Sequence, residues 1–321
     1  MNKKLSATKI PYADYAWHIT TGCNGVSAGC ENCWAKTIMT TRLKHIYGGD
    51  FEPRYHPEKL YQPENTKKAG IVFVAPMGDI TYLDEKQNNE VFNQMLNSNH
   101  LFLQLSKNPK DFNYNISGLP NVWTGVSVES MEFIDRIYQL PENSRGRRFV
   151  SFEPLLNAIH EDGDWIKEVD YVIVGGEQAI KARLCNPEWI YRIFLICEKY
   201  DKPFFFKQWG SNVPNYVNNC FTGSFAHEDY RMSVTHQFPE AFIQHFKQKG
   251  IKKEVVGKHW LPLETELFHF SCTNDSCPHA EAKTCYRYNR PYDSSMGREN
   301  LKPDDTGFCR YRMEEPVEEF K

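Results

Sequence analysis

The chain has 321 residues, 40 % of them hydrophobic and 25 % charged, with 19 glycines and 18 prolines. This is globular composition; it excludes collagen-like and low-complexity chains, and the length suits one large α/β barrel or two ordinary domains. The formal charge of −3 gives no global attraction to nucleic acid, although a local patch stays open.

Met1-Asn2-Lys3-Lys4-Leu5 leads into no apolar run, which predicts no secretory leader. No stretch reaches the ~20 apolar residues needed to span a bilayer. The expectation is a cytoplasmic protein with no membrane partner, in which thiols stay reduced.

Short apolar runs rich in β-branched and aromatic residues predict strands. In chain order they are Tyr15–Ile19, Ile71–Ala75, Leu101–Leu105, Val122–Val126, Arg148–Phe152, Tyr171–Val174 and Pro203–Phe206. Several are almost continuously apolar, as suits strands buried on both faces of a parallel sheet. Helical spacing predicts helices over Trp34–Tyr47, Asp84–Asn97, Met131–Leu140, Pro187–Tyr200 and Pro239–Lys249. Repeated β/α units give either a doubly wound sheet or a barrel. Polar residues close almost every strand run, which favours a barrel, because there the carboxyl ends of the strands converge on one face.

The predicted organisation is a barrel over residues 1–210, a mixed extension packing on it over 211–263, and a cysteine-rich segment over 264–321. Ten cysteines are present. Cys23, Cys30 and Cys33 lie together as C-x6-C-x2-C just after the first strand. Three thiolates at this spacing can share one metal. A [4Fe–4S] cluster would keep one iron open; a zinc ion would take His18 as its fourth ligand. Cys272, Cys277, Cys285 and Cys309 form a second group in a polar segment that needs a staple. Their spacing departs from that of a zinc ribbon, so a second [4Fe–4S] cluster is favoured over zinc, with His269 and His279 as replacement ligands. Cys197 reads as a packing residue, and Cys185 and Cys220 carry no signal.

The run Thr21-Gly22-Cys23, followed by Ser27-Ala28-Gly29-Cys30-Glu31-Asn32-Cys33-Trp34-Ala35, resembles a three-Cys-motif family of phage and bacterial proteins. That family is similar to a divergent radical S-adenosylmethionine (SAM) branch. The stretches around Gly78-Asp79, Val122–Glu129, Phe152–Leu156, Val174–Glu177 and Phe205–Gly210 belong to the same likeness. The resemblance implies a partial TIM-like (β/α) barrel of the radical SAM type with a C-terminal cysteine-containing extension. It also implies a [4Fe–4S] cluster on Cys23, Cys30 and Cys33, SAM chelated to the open iron, and an external electron donor. The enzyme would cleave SAM to a 5′-deoxyadenosyl radical, with the substrate left open and a nucleotide or nucleic acid among the candidates.

Within that reading Trp34, Gly78, Asp79, Ser127, Glu129, Ser151 and Glu153 are candidate cofactor contacts. Gly176, Glu177, Lys207 and Gln208 are candidate substrate contacts. The alternative is a zinc-stapled protein that binds nucleic acid or a partner without catalysis. Its aromatics Tyr286, Tyr288 and Tyr292 interleave with Arg287 and Arg290, a pattern that can stack bases.

Overall fold

The structure is a computed structural model. It describes residues 4–159, 164–212 and 236–251, together with the backbone of Leu301–Pro303 and Cys309–Tyr311. The chain divides into two compact units, Met1–Val213 with Val234–Trp260, and Pro214–Ser233 with Leu261–Lys321.

The first unit is built on one sheet of eight strands. In spatial order these are β1 (Ser6–Ala7), β2 (Tyr15–Trp17), β5 (Ile71–Val74), β6 (Leu101–Ser106), β7 (Val122–Ser127), β8 (Arg148–Phe152), β9 (Tyr171–Gly175) and β10 (Phe204–Gln208). Among the described strand pairs of this sheet, only β1–β2 is antiparallel. From β2 to β10 every pairing is parallel and the strands follow chain order without reversal. A doubly wound sheet would reverse direction at a switch point. Progression in one direction is barrel winding, and here it stays open, so the architecture is a partial (β/α) barrel. A fold of this kind marks no single enzyme class. The small strands β3 (Thr20–Thr21) and β4 (Arg54–Tyr55) pair with each other beside it.

Alternation along the strands explains the core. Ile71, Phe73, Leu101, Leu103, Trp123, Phe149, Tyr171, Ile173 and Phe205 form one buried cluster with Tyr12. The residues between them, such as Val72, Phe102, Val150 and Val172, are also buried, so both sheet faces are covered. Helix α7 (Glu240–Gln248) adds Phe242 and Phe246 to the same cluster, and Phe242 meets Trp123 edge to face with centroids 4.9 Å apart. Burying an aromatic of this size contributes about 1.5–3 kcal/mol. The outer edge of β10 is covered in part by an antiparallel bridge from Phe205 to His236, which blunts an otherwise open strand edge.

The connections hold α1 (Trp34–Thr40), α2 (Lys44–Tyr47), α3 (Gln62–Asn65), α4 (Glu85–Leu96), α5 (Tyr114–Ser117) and α6 (Pro187–Lys199). The helix expected over Trp34–Tyr47 is broken after Thr40. There the Thr40 and Thr41 hydroxyls donate to the Lys36 and Thr37 carbonyls and compete with the helical ladder. The segment expected to be a helix over Met131–Leu140 holds a 3-10 turn at Met131–Arg136. Helix α4 starts as expected: Asp84 and Gln87 form a reciprocal capping box.

In the second unit β11 (Leu301–Pro303) and β12 (Cys309–Tyr311) pair antiparallel, with Pro303 opposite Cys309. Cys272, Cys277, Cys285, His269, His279, the Tyr286–Tyr292 stretch and Cys220 lie outside the described residues. Among the described residues no helix is long and apolar enough to cross a membrane.

Candidate polar site at the carboxyl ends of the strands

The loop of residues 22–33 leaves β3 and runs over the ends of later strands. Its start requires glycine. Gly22 has φ +78°, and a Cβ there would stand 2.0 Å from the Glu52 carbonyl oxygen. Gly22 N–H donates to Met77 O and Cys23 N–H to Phe51 O, both at 2.9 Å.

The loop is then clamped from below. Glu129, just beyond β7, is fully buried and holds two cations, Lys107 at 2.5 Å and Arg136 at 2.8 Å. The Ser27 hydroxyl donates to the same carboxylate at 2.5 Å. Gly29 sits directly on this pair, where an added Cβ would fall 2.5 Å from Glu129 Oε1 and 2.8 Å from Lys107 Nζ.

A second clamp stands just beyond β9. Arg183 pairs with Glu177 at 2.5 Å and donates to Ala28 O at 2.9 Å. Asn32 donates to Glu177 and to Lys181 O, both at 3.1 Å. Burial opposes ionisation of Glu177. The donors from Arg183 and Asn32 outweigh it and hold the carboxyl below the usual glutamate range.

These contacts reassign several expected ligand residues. Glu129 and Glu177 are occupied by the loop and by basic partners. Gly78 is a packing glycine, with the Thr21 Cα 2.7 Å from its ideal Cβ position; Gly176 is another, with Trp209 O 1.9 Å away. Asp79 caps the 3-10 turn Ile80–Tyr82, accepting from Thr81 N–H and hydroxyl and from Ser106 Oγ at 2.6 Å. Burial still raises its pKa despite those donors. Trp34 opens α1 and is half exposed. Ser127 is buried and pairs in register with Ser151. Gln208 donates to Gly176 O at 2.8 Å and accepts from Gln178 at 3.0 Å. Arg136 and Arg183, which complete the two clamps, carried no signal in the sequence, since only the fold brings them to Glu129 and Glu177.

The metal and cofactor expectation at Cys23, Cys30 and Cys33 is overturned. Among the described residues no group of three or more His, Cys, Asp or Glu side chains can hold a metal ion. Each thiol of the loop has a hydrogen-bond partner of its own. Cys23 donates to Asn24 O at 3.3 Å, and burial pushes its thiol up to about 12. Cys33 accepts from Lys36 N–H at 3.5 Å as the cap of α1. Cys30 lies 3.6 Å from both Lys107 Nζ and Ser27 Oγ. Burial would raise the Cys30 pKa, but Lys107 and hydrogen bonds at Val26 and Ser27 bring it below the usual thiol value. His18, the expected fourth zinc ligand, has Lys59 and His56 as its charged neighbours, and burial lowers its pKa to about 4. With no such three-ligand group, the described donor set fits neither a [4Fe–4S] cluster with SAM on an open iron nor zinc. The radical SAM enzyme, which needs a cluster on these three thiols, falls with it; Cys272, Cys277 and Cys285 of the zinc-stapled alternative lie outside the described residues. Of the C-terminal cysteines only Cys309 has a described backbone, in β12.

One strand-end pair stands apart from the loop. Lys207 on β10 pairs with Glu153 beyond β8. Its ammonium lies 5.7 Å from the centre of the Tyr12 ring, within the core cluster. Gly175 of β9 leaves ordinary contact distance here, its ideal Cβ position being 3.5 Å from Glu153 Cδ. Ser151 lies two residues before Glu153, on the strand face that carries Phe149 into the core. The Ser151 hydroxyl is buried and has no hydrogen-bond partner among the described residues.

The fold and site together define a partial (β/α) barrel protein with a clamped loop and, among the described residues, a separate ion pair at the carboxyl ends of its strands. The chain belongs to the family described as proteins of unknown function, DUF5131, whose model matches residues 7–262. No curated protein and no solved structure matches it.

Proposed function

We propose that the protein binds a small zwitterionic ligand at Glu153 and Lys207. The observation that carries this reading is the buried hydroxyl of Ser151, unpartnered among the described residues and two residues before Glu153 of an ion pair to which the loop of residues 22–33 makes no described contact. An unsatisfied buried hydroxyl costs about 1–3 kcal/mol, and native proteins keep few of them without a reason.

Magnitudes select the ligand class. The two side chains are only 16 % and 21 % exposed. A ligand that satisfied one and stranded the other would cost about 3–5 kcal/mol. A ligand carrying both an anion and a cation replaces the pair without stranding either group. Its anion meets Lys207, its cation meets Glu153, and Ser151 gains a partner. Strand carboxyl ends are where barrel folds place their ligands.

The test is thermal unfolding of the full chain with α-amino acids, inorganic phosphate and AMP. At a concentration of 100 Kd a ligand adds about 2.7 kcal/mol. The expected result is a concentration-dependent rise in Tm with at least one amino acid, absent in Lys207→Met. A rise with phosphate alone, or no rise with any amino acid, contradicts the reading.

A further inference from the structure

We infer that Cys30 and Cys33 form a reversible disulfide, making the loop a thiol–disulfide exchange site independent of the ligand site.

The pair has the geometry for it. Cys33 N–H donates to Cys30 O at 3.3 Å, which closes a four-residue turn. Such a turn keeps its end Cα atoms within about 7 Å, and disulfides bridge Cα atoms about 4.4–6.8 Å apart. Both residues are partly exposed and both thiols are free. The two spacer residues, Glu31 and Asn32, are held from outside the turn by Arg183 and Glu177. The turn is therefore held in place while either thiol reacts.

The surroundings divide the roles. The Lys107 ammonium lies 3.6 Å from Cys30 Sγ, where it stabilises a thiolate. The Cys33 sulfur accepts from the Lys36 backbone N–H, pairs with no cation among the described residues, and serves as the resolving thiol. Cys23 is engaged with Asn24 O and stays outside the exchange.

With a small-molecule disulfide such as oxidised glutathione, the Cys30 thiolate attacks one sulfur. A mixed disulfide forms and one glutathione thiolate leaves. The Cys33 thiol then loses its proton to solvent and attacks the Cys30 sulfur, expelling the second glutathione thiolate. Two protein thiols are oxidised, one glutathione disulfide is reduced to two thiols, and the protons released by the protein balance those the products take up.

The experiment equilibrates the full chain in oxidised and reduced glutathione, blocks free thiols with iodoacetamide, and digests with trypsin. One fragment, residues 10–36, then carries all three cysteines. Cleavage after Glu31 separates Cys33 from the other two unless a disulfide holds the pieces together. The expected product has Cys23 alkylated and Cys30 joined to Cys33, and reduction reverses it. In Cys33→Ser the glutathione adduct on Cys30 should accumulate. Three alkylated thiols under oxidised glutathione, a link from Cys33 to Cys23, or a glutathione adduct on Cys30 in the unsubstituted chain that Cys33 fails to resolve would each overturn the inference.

Discussion

Ser27 donates its hydroxyl to Glu129 at 2.5 Å across 102 residues of chain. The bond joins the loop that follows the small strand β3 to the end of β7, which is possible only because the sheet curls. The same carboxylate carries Lys107 and Arg136, so one buried charge organises three segments.

Removing that charge should be costly. In Glu129→Gln, Lys107 and Arg136, only 18 % and 10 % exposed, lose their shared counter-ion. Breaking a buried pair from one side costs about 3–5 kcal/mol. Urea denaturation should show a fall in unfolding free energy of that order, with faster hydrogen exchange in residues 22–33. A change under about 1 kcal/mol, the range of an exposed pair, would show that the clamp does not hold the loop.

Glu177 makes a pH prediction. Its folded pKa is depressed below the unfolded value of about 4.3. A depressed carboxyl contributes stability that is present above the unfolded pKa and is lost as pH falls through the folded one. Tm should therefore decline below about pH 4.3. Glu177→Gln, less stable at pH 7, should lose less over that acid interval. Parallel Tm curves for the two proteins between pH 7 and pH 3 would contradict the assignment.

Much of the fold was legible because buried parallel strands are long apolar runs whatever their partners. Ile71–Val74 and Tyr171–Gly175 show it. The helices were less legible. The break after Thr40 depends on hydroxyls competing for carbonyls, which apolar spacing does not record. The site was legible in its residues and opaque in their roles. Glu129, Glu153 and Glu177 look alike as strand-end carboxylates; only the long-range partners separate the two clamps from the free pair. The C-x6-C-x2-C spacing pointed to a shared metal, but the described residues hold no group of three ligands.

Gly176 illustrates the same lesson and can be tested. The sequence suggested a substrate contact, whereas the space is filled by the Trp209 carbonyl, 1.9 Å from an added Cβ. Gly176→Ala should destabilise the fold by about 1–3 kcal/mol through overpacking, measured by thermal unfolding. Unchanged Tm would mean that the β9 and β10 ends are looser than the structure shows.

The most direct measurement is calorimetric titration of the amino acid that most stabilises the full chain, repeated with Glu153→Gln and Lys207→Met. The account predicts one site per chain and at least a roughly tenfold loss of affinity in each variant, the equivalent of about 1.4 kcal/mol. Affinity unchanged in both folded variants would place the ligand elsewhere and contradict the assignment of Glu153 and Lys207.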